Sequence, residues 1–526
     1  MTTKQYDAYS DLITFTRAST GTALRRVGYS PELVTNGTFD TDTDWTKSGT
    51  TTISGGQATL ASAFAYIEQS LAVSNRDVVR VSYEVVSNTD VGGNLALSNS
   101  GFTNATIFIT DTVGTHTLDV VVNDATKPLK LIIAKASTVV LDNVSVKEVI
   151  FDRATDSLVL FNHPTNVPRI EYDADGNRRG LLIEEARTNL VPASNDWGNG
   201  TYWSTIRATF TANQAVSPDG SVNADALTED TTASSTHLGL SSSNITVVDA
   251  AIYTSSIFVK ANTRSWVQLQ EGQGVTASAY FNLLTGEIGT VSGTGSPSAS
   301  IQDVGNGWYR CSLTFTSLGT AARIRLYLAT GNGGATYTGD GTSGVFLWGA
   351  QLEAGSFPTS YIPTSGSTAT RSADVASIPT SAFGYNADKG TVVVDCSIDR
   401  VASVAGISIA GLFGSAFDIS NSTRVFYRSN GTTGYQNTDG GVTSVDLSPP
   451  GVLTAGQNIN IAFAYVENDF AVVRNGGTVQ TDTSGSLPEH TLLQIGSGQA
   501  LLNGHIKSIQ YYPRRLTNTQ LQELTS

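Results

Sequence analysis

Short runs in which apolar and polar residues alternate constrain this chain more than any other feature. In Val78-Val79-Arg80-Val81-Ser82-Tyr83-Glu84-Val85, in residues 116–122 and in residues 308–315, the apolar side chains fall largely on every second position. A period of two belongs to a strand with one face in a core, whereas an amphipathic helix repeats its apolar positions every three or four residues. Gly, at 51 positions, fills the gaps together with Ser, Thr, Asn and Asp, while Pro occurs only 14 times. Such a chain is all-β, built from many short strands and tight turns. Its 526 residues exceed what one hydrophobic core can serve. The expectation is therefore tandem β-sandwich domains joined by short linkers.

Turn signals and composition divide the sequence. Residues 1–30 are too few to fold alone and are expected to pair or dock elsewhere. Residues 31–150 form one β-domain, opening with Asn36-Gly37-Thr38-Phe39 and Trp45. Residues 151–187 look like a connector, with a turn at Asp173-Ala174-Asp175-Gly176-Asn177. Residues 188–365 form a second β-domain. Its closing run, residues 345–353, repeats the pattern of residues 140–148, which points to two copies of one architecture. Residues 366–382 are a low-complexity linker, and residues 383–526 a third β-domain. In that third domain Asn475-Gly476 marks a hairpin, and Thr517-Asn518-Thr519-Gln520 fits a capping box opening a short helix that buries Leu521 and Leu524.

The net charge of −14 leaves no large basic surface, which excludes DNA and RNA as partners. The N-terminus has no apolar h-region and no run is long enough to cross a bilayer, so no signal peptide, no membrane insertion and synthesis in the cytoplasm are expected. Cys311 shares the phase of Leu313 and Phe315, and Cys396 that of Val392 and Val394, as inert thiols in two separate cores.

Three stretches carry a resemblance to a family of phage tail-fibre and related virion proteins: Phe15-Thr16-Arg17-Ala18-Ser19-Thr20, Gly180-Leu181-Leu182-Ile183-Glu184-Glu185-Ala186-Arg187-Thr188-Asn189-Leu190, and Trp348-Gly349-Ala350-Gln351-Leu352-Glu353 with Thr359-Ser360-Tyr361-Ile362-Pro363. Gly305-Asn306-Gly307-Trp308-Tyr309-Arg310 adds to it. In that family the first two motifs are close in sequence, so residues 31–150 look like an inserted domain. The insert is similar to jelly-roll carbohydrate-binding modules that begin Asn-Gly-x-Phe with a nearby Trp, and the second domain repeats its outline. Residues 383–526 resemble a concanavalin-like or laminin-G-like sandwich, chiefly through residues 504–512. The resemblance implies a virion-attached, receptor-binding component whose residues 1–30 contact the particle.

Strand phase nominates binding residues independently. Trp266, Gln268 and Gln270 lie opposite Val267 and Leu269; Tyr280 lies opposite Ala279 and Phe281; Trp308 and Arg310 lie opposite Tyr309 and Cys311; Arg325 and Tyr327 lie opposite Leu326 and Leu328. One sheet face carrying these rings, amides and guanidiniums suits a sugar, whose C–H faces pack on aromatics while its hydroxyls need fixed polar partners. It also suits packing against the connector, a neighbouring domain or another subunit. In the third domain Arg424, Tyr427 and Tyr435 surround turn-rich loops, a usual place for a lectin site. Asp40 and Asp142, from the first and last strands of the insert, could hold a structural calcium, or serve turns; no other cofactor is implied. His490 and His505 have no partner at ligand spacing and read as surface or strand residues.

No nucleophile elbow, zinc motif or phosphate loop occurs, and the adjacent Glu184 and Glu185 would point to opposite faces of a strand. The expected function is a non-enzymatic fibre or spike adhesin of a virion, a homotrimer that binds capsule or lipopolysaccharide glycans alongside other virion proteins. The alternatives are a passive structural shaft or decoration protein, and a capsule depolymerase.

Overall fold

The computed structural model describes residues 12–92, 95–97, 107–273, 276–399, 407–428, 430–496 and 501–526. It is built of β-sandwiches with one short α-helix among the described residues, and no helix among them is long and apolar enough to cross a membrane. The chain divides into two compact units. One is Arg25–Leu158; the other runs to Leu24 and resumes at Val159.

In the unit Arg25–Leu158, strands Gly114–Val121, Val78–Asn88 and Val139–Phe151 pair in antiparallel order, with the hairpin Thr51–Ser54/Gln57–Leu60 added to Val139–Phe151. They face a five-stranded sheet built from Thr46–Lys47, Tyr66–Gln69, Leu129–Ile133, Leu95–Leu97 and Ile107–Phe108. Val79, Val81, Tyr83 and Val85 meet Ile67, Leu129, Leu131 and Ile133 in the core, as the alternation requires. The opening motif has a local cause. A Cβ at Gly37 would collide with the Val144 carbonyl oxygen, whose own residue donates its N–H to the Gly37 carbonyl at 2.9 Å. Asn-Gly thus stitches the start of the domain to its last strand, while Phe39 and Trp45 pack 5.5 Å apart and the Trp45 indole donates to the Asn36 carbonyl at 2.9 Å.

The second sandwich consists of two six-stranded sheets. The first runs Trp203–Ile206, Leu238–Ser241, Ile324–Ala329, Trp266–Glu271, Ser278–Asn282, Glu287–Ser292; the second runs Ala208–Val216, Val222–Glu229, Gly344–Ala354, Ile252–Ala261, Trp308–Thr316, Ser298–Asp303. Val267, Leu269, Phe281, Leu326 and Leu328 from the first sheet meet Ile257, Val259, Cys311, Leu313 and Phe315 from the second.

The third sandwich takes strands from the segments read above as N-terminal piece, connector and linker. One seven-stranded sheet includes Thr14–Thr16 and Val375–Pro379; its partner begins with the hairpin Ile170–Tyr172/Arg178–Ile183, which pairs with Gly504–Tyr512. The reason is burial: Phe15, Leu181, Ile183, Ala376 and Ile378 all lie in its core. The helix Asn518–Thr525 carries the expected capping box, with Thr517 and Gln520 exchanging hydrogen bonds, and buries Leu521 fully and Leu524 partly. Both cysteines are free and buried, Cys311 in the second core and Cys396 in the third, and burial pushes the Cys396 thiol up to about 12.

The motifs that carry the virion resemblance converge on a buried charge network. Arg17 pairs with Asp374 at 3.2 Å; Arg169 pairs with Asp374 and, at 2.8 Å, with Glu184; Arg371 lies 3.5 Å from Glu184 and 3.9 Å from Asp374. Burial favours the neutral form of Glu184, but Arg371, Arg169 and hydrogen bonds from Ser360 hold its carboxyl well below the usual range. Alongside, Gln351 accepts from the Ile362 amide at 2.8 Å, and Glu353 accepts from the Thr359 amide at 2.9 Å and its hydroxyl at 2.7 Å. These polar residues lock distant segments together.

Candidate functional site

The first sheet of the second sandwich brings six of the nominated residues onto one outer face. Antiparallel register sets Gln268 opposite both Tyr280 and Tyr327, Gln270 opposite Arg325, and Trp266 opposite Asn282 and Ala329. Val267 and Leu269 point the other way and are fully buried, so the outward phase of Trp266, Gln268 and Gln270 follows from the pleat. The Tyr327 hydroxyl donates to Gln270 Oε1 at 2.9 Å, fixing the amide on this surface. Trp266, Tyr280 and Tyr327 cluster with Ala329 and Ala335, apart from the main core. Part of the cluster is covered by its own sandwich: Asn332 accepts from the Thr290 amide at 2.8 Å, and Gly289 leaves the room that Asn332 and the Trp266 ring occupy. Tyr280 is 9% exposed, while Trp266, Gln268, Gln270, Arg325 and Tyr327 remain half-buried. The face offers aromatic edges with amide and guanidinium groups held between them.

Trp308 and Arg310 do not share that face. They sit in strand Trp308–Thr316 of the opposite sheet, pointing away from the core as their phase required. That side is closed, however. The Trp308 indole is 1% exposed and donates to the Val216 carbonyl at 3.0 Å; Arg310 donates to the Thr359 carbonyl at 2.6 Å and to Ser256 Oγ at 2.9 Å. Alternation reports which side of a sheet a residue occupies, but not whether another segment lies over it.

The third-domain candidates are also relocated. Tyr427 and Tyr435 belong to strands Ser422–Tyr427 and Thr433–Asp439, not to loops, and both are core residues. The Tyr435 hydroxyl donates to the Ala464 carbonyl at 3.2 Å, so the phenol is satisfied inside the sandwich. Arg424 is 6% exposed, bonded to Ser408 Oγ at 3.3 Å and Gln436 Oε1 at 3.2 Å.

Asp40 and Asp142 are engaged locally. Asp40 accepts from Thr38 Oγ1 at 2.8 Å, and Asp142 accepts from the Asn143 amide at 2.6 Å. No group of three or more His, Cys, Asp or Glu side chains is arranged to hold a metal ion among the described residues. The arrangement is that of turn-capping carboxylates.

The two histidines are buried rather than superficial. His505 bridges Glu171 at 2.7 Å and Asp399 at 3.1 Å; burial disfavours its charge, but these carboxylates raise its pKa on balance. His490 meets the Tyr385 hydroxyl at 2.7 Å and Thr423 Oγ1 at 3.1 Å, and burial depresses it to about 4.

A cleft of ≈ 420 Å³ adjoins the charge network, lined among others by Arg179, Glu184, Gln302, Phe357, Asp399 and Asn503. Asp399 is stabilised as an anion despite its burial, through His505 and Arg179, and Glu184 is held ionised as described. Two carboxylates in one cleft therefore both favour the charged form.

Comparison with known proteins gives no matching family model and no matching curated protein. Among solved structures the chain is similar to the NanB sialidase of Streptococcus pneumoniae, at 20% identity over 28% of this chain and 26% of that one, with a TM-score of 0.25. The chain thus spans about a quarter of that sialidase's length. It is similar to the CBM40 module of the Ruminococcus gnavus IT-sialidase bound to alpha2,3 sialyllactose, at 14% identity over 27% of this chain and 84% of that one, TM-score 0.23. It is also similar to domains LG4-5 of the mouse laminin alpha1 chain, at 10% identity over 66% of this chain and 94% of that one, TM-score 0.21.

Proposed function

We propose that this chain is a non-enzymatic adhesin of a virion or phage-derived particle, which holds host-surface polysaccharide on the outer face of its second sandwich. The observation that carries the reading is the register of Tyr280, Gln268 and Tyr327 across three neighbouring strands, with Trp266, Gln270 and Arg325 beside them. Rings alternating with fixed amides match the two surfaces of a sugar. Single protein–glycan contacts of this kind are shallow, so a homotrimer gains attachment by avidity of about 10²–10⁴. The virion assignment rests on the motif resemblance.

A glycan array probed with the purified chain tests the reading. Binding to capsule or lipopolysaccharide fragments is expected, together with its loss by about tenfold or more in Trp266→Ala, where an aromatic contact and its buried area disappear. No binding to any glycan would sink it and favour the second reading, a structural shaft. That second reading draws on the burial of the motif residues in a network that only ties segments together. Shortening of host polysaccharide during incubation would instead establish a depolymerase.

A further inference from the structure

The outer face described above continues beyond Tyr327 onto strands Leu238–Ser241 and Trp203–Ile206, where it hollows into a groove of ≈ 370 Å³. Leu238 stands opposite Tyr327 in the ladder and Leu240 opposite Arg325, so both leucines belong to the outer side. They form the buried base of the groove, 2% and 4% exposed, and Ile206 opposite Leu238 extends it as an exposed apolar side chain. Three guanidiniums border it: Arg207, Arg323 and Arg325.

The acidic residues of this chain outnumber the basic ones, 45 to 31, yet none of these three arginines has a carboxylate within 4.0 Å among the described residues. The Arg323 guanidinium donates to neutral carbonyls, of Ser241 at 2.9 Å and of Ser242 at 3.1 Å. The Nε of Arg325 is buried with no partner. Arg207 is exposed, in a left-handed backbone with φ 52° that is uncommon for a long side chain. Two acids nearby are turned to other tasks. Glu271 shares the inward phase of Val267 and Leu269 and accepts from the backbone amides of Gln273 and Arg323. Asp230 accepts from Thr232 and lies 3.3 Å from His237.

Asp230 and Glu271 act on Arg207 and Arg325 only from beyond ion-pair distance, so guanidiniums gathered around an apolar floor keep positive charge that an oxyanion relieves through forked hydrogen bonds. We propose that this groove receives the anionic group of an acidic saccharide, a hexuronate carboxylate or a sulfate ester, with the sugar ring resting on Ile206 and Tyr327. The inference rests on the reading of this sheet as a saccharide platform and specifies the class of sugar it takes.

Calorimetric titration of the full chain with tetra-galacturonate, with its neutral methyl ester and with a sulfated maltotetraose tests it. An anionic sugar should bind at least about tenfold more tightly than the ester, the loss expected for one charge-assisted pair. Whichever of carboxylate or sulfate binds more tightly identifies the source of the anion. Arg207→Gln and Arg325→Gln should each weaken the anionic sugar by about tenfold and reduce the salt dependence of binding, with little change for the ester. Because Arg207 is exposed, its variant reports even if Arg325→Gln disturbs folding. Equal affinity for acid and ester, or unchanged affinity in Arg207→Gln, would overturn the charge assignment while leaving the platform standing. Failure of every sugar to bind would overturn both.

Discussion

Arg169 and Asp374 stand 205 positions apart in sequence, yet their fully buried side chains form an ion pair that Arg17 and Glu184 extend on either side. The pair joins the hairpin at residues 170–183 to the strand at 375–379, one in each sheet of the third sandwich. What sequence motifs display as separate signatures is, in space, a single clamp.

Removing Asp374 should therefore do more than delete a contact. Asp374→Ala leaves Arg17 and Arg169 buried with one acceptor fewer, and the expected loss is about 3–5 kcal/mol, the scale for breaking a buried pair from one side. Urea unfolding followed by intrinsic fluorescence measures it. A loss below about 1 kcal/mol would mean that Glu184 and the surrounding carbonyls suffice.

The two buried histidines of the third sandwich should respond to pH with opposite sign. His505 has a raised folded pKa, so its stabilisation is complete below about 6.5 and declines as pH rises through the folded value. His490 is depressed to about 4, so the unfolded chain takes up its proton first and stability falls as pH drops from about 6.5 towards 4, by on the order of 3 kcal/mol. Denaturation midpoints across pH 4–9 for His505→Gln and His490→Gln should flatten opposite limbs of the wild-type curve. If both variants flatten the same limb, the burial of one histidine has been misassigned.

Glu271 supplies a third titration, in the second sandwich. Burial pushes its carboxyl up to about 7, against the hydrogen bonds it accepts from Gln273 and Arg323. Its protonated form is favoured in the folded state, so stability is greatest below about 4.5 and is lost as pH rises towards 7. Glu271→Gln should remove that slope in a thermal melt series, and a variant curve parallel to wild type would contradict the assignment.

Chelation offers a simple check on the inserted unit. With Asp40 and Asp142 occupied by Thr38 and Asn143, EDTA should leave its melting temperature unchanged. A fall of several degrees, restored by added calcium, would reveal a structural ion linked to folding.

Strand phase proved the most legible level of this sequence. It places Val267, Leu269, Cys311 and Leu313 in the core and Trp266, Gln268 and Tyr327 outside it, because a period of two leaves no freedom once one face is buried. Local chemistry was equally readable at Thr517 and Gln520, whose reciprocal cap depends on neighbours only. Coverage was not. Trp308 and Arg310 have the correct phase but lie under groups contributed by Val216 and Thr359, and phase carries no information on distant chain. Segments 151–187 and 366–382 looked like spacers because their strands are short and interrupted by turns; their apolar residues find partners only across the whole sequence. The groove beside Arg325 depends on Leu238 and Leu240, which carry the alternation that could have placed them but whose facing residue, Gly239, offers no apolar contrast.

The N-terminal strand Thr14–Thr16 lies on Val375–Pro379, which in turn pairs with Leu492–Ile495. A ribosome making this chain delivers the first of these strands hundreds of residues before the last, so the second sandwich has all its strands before the third can close. The early strand and the hairpin at 170–183 must wait with apolar faces unpaired until synthesis nears its end. A prematurely terminated product would keep those edges open, and so present a natural target for chaperones or for aggregation.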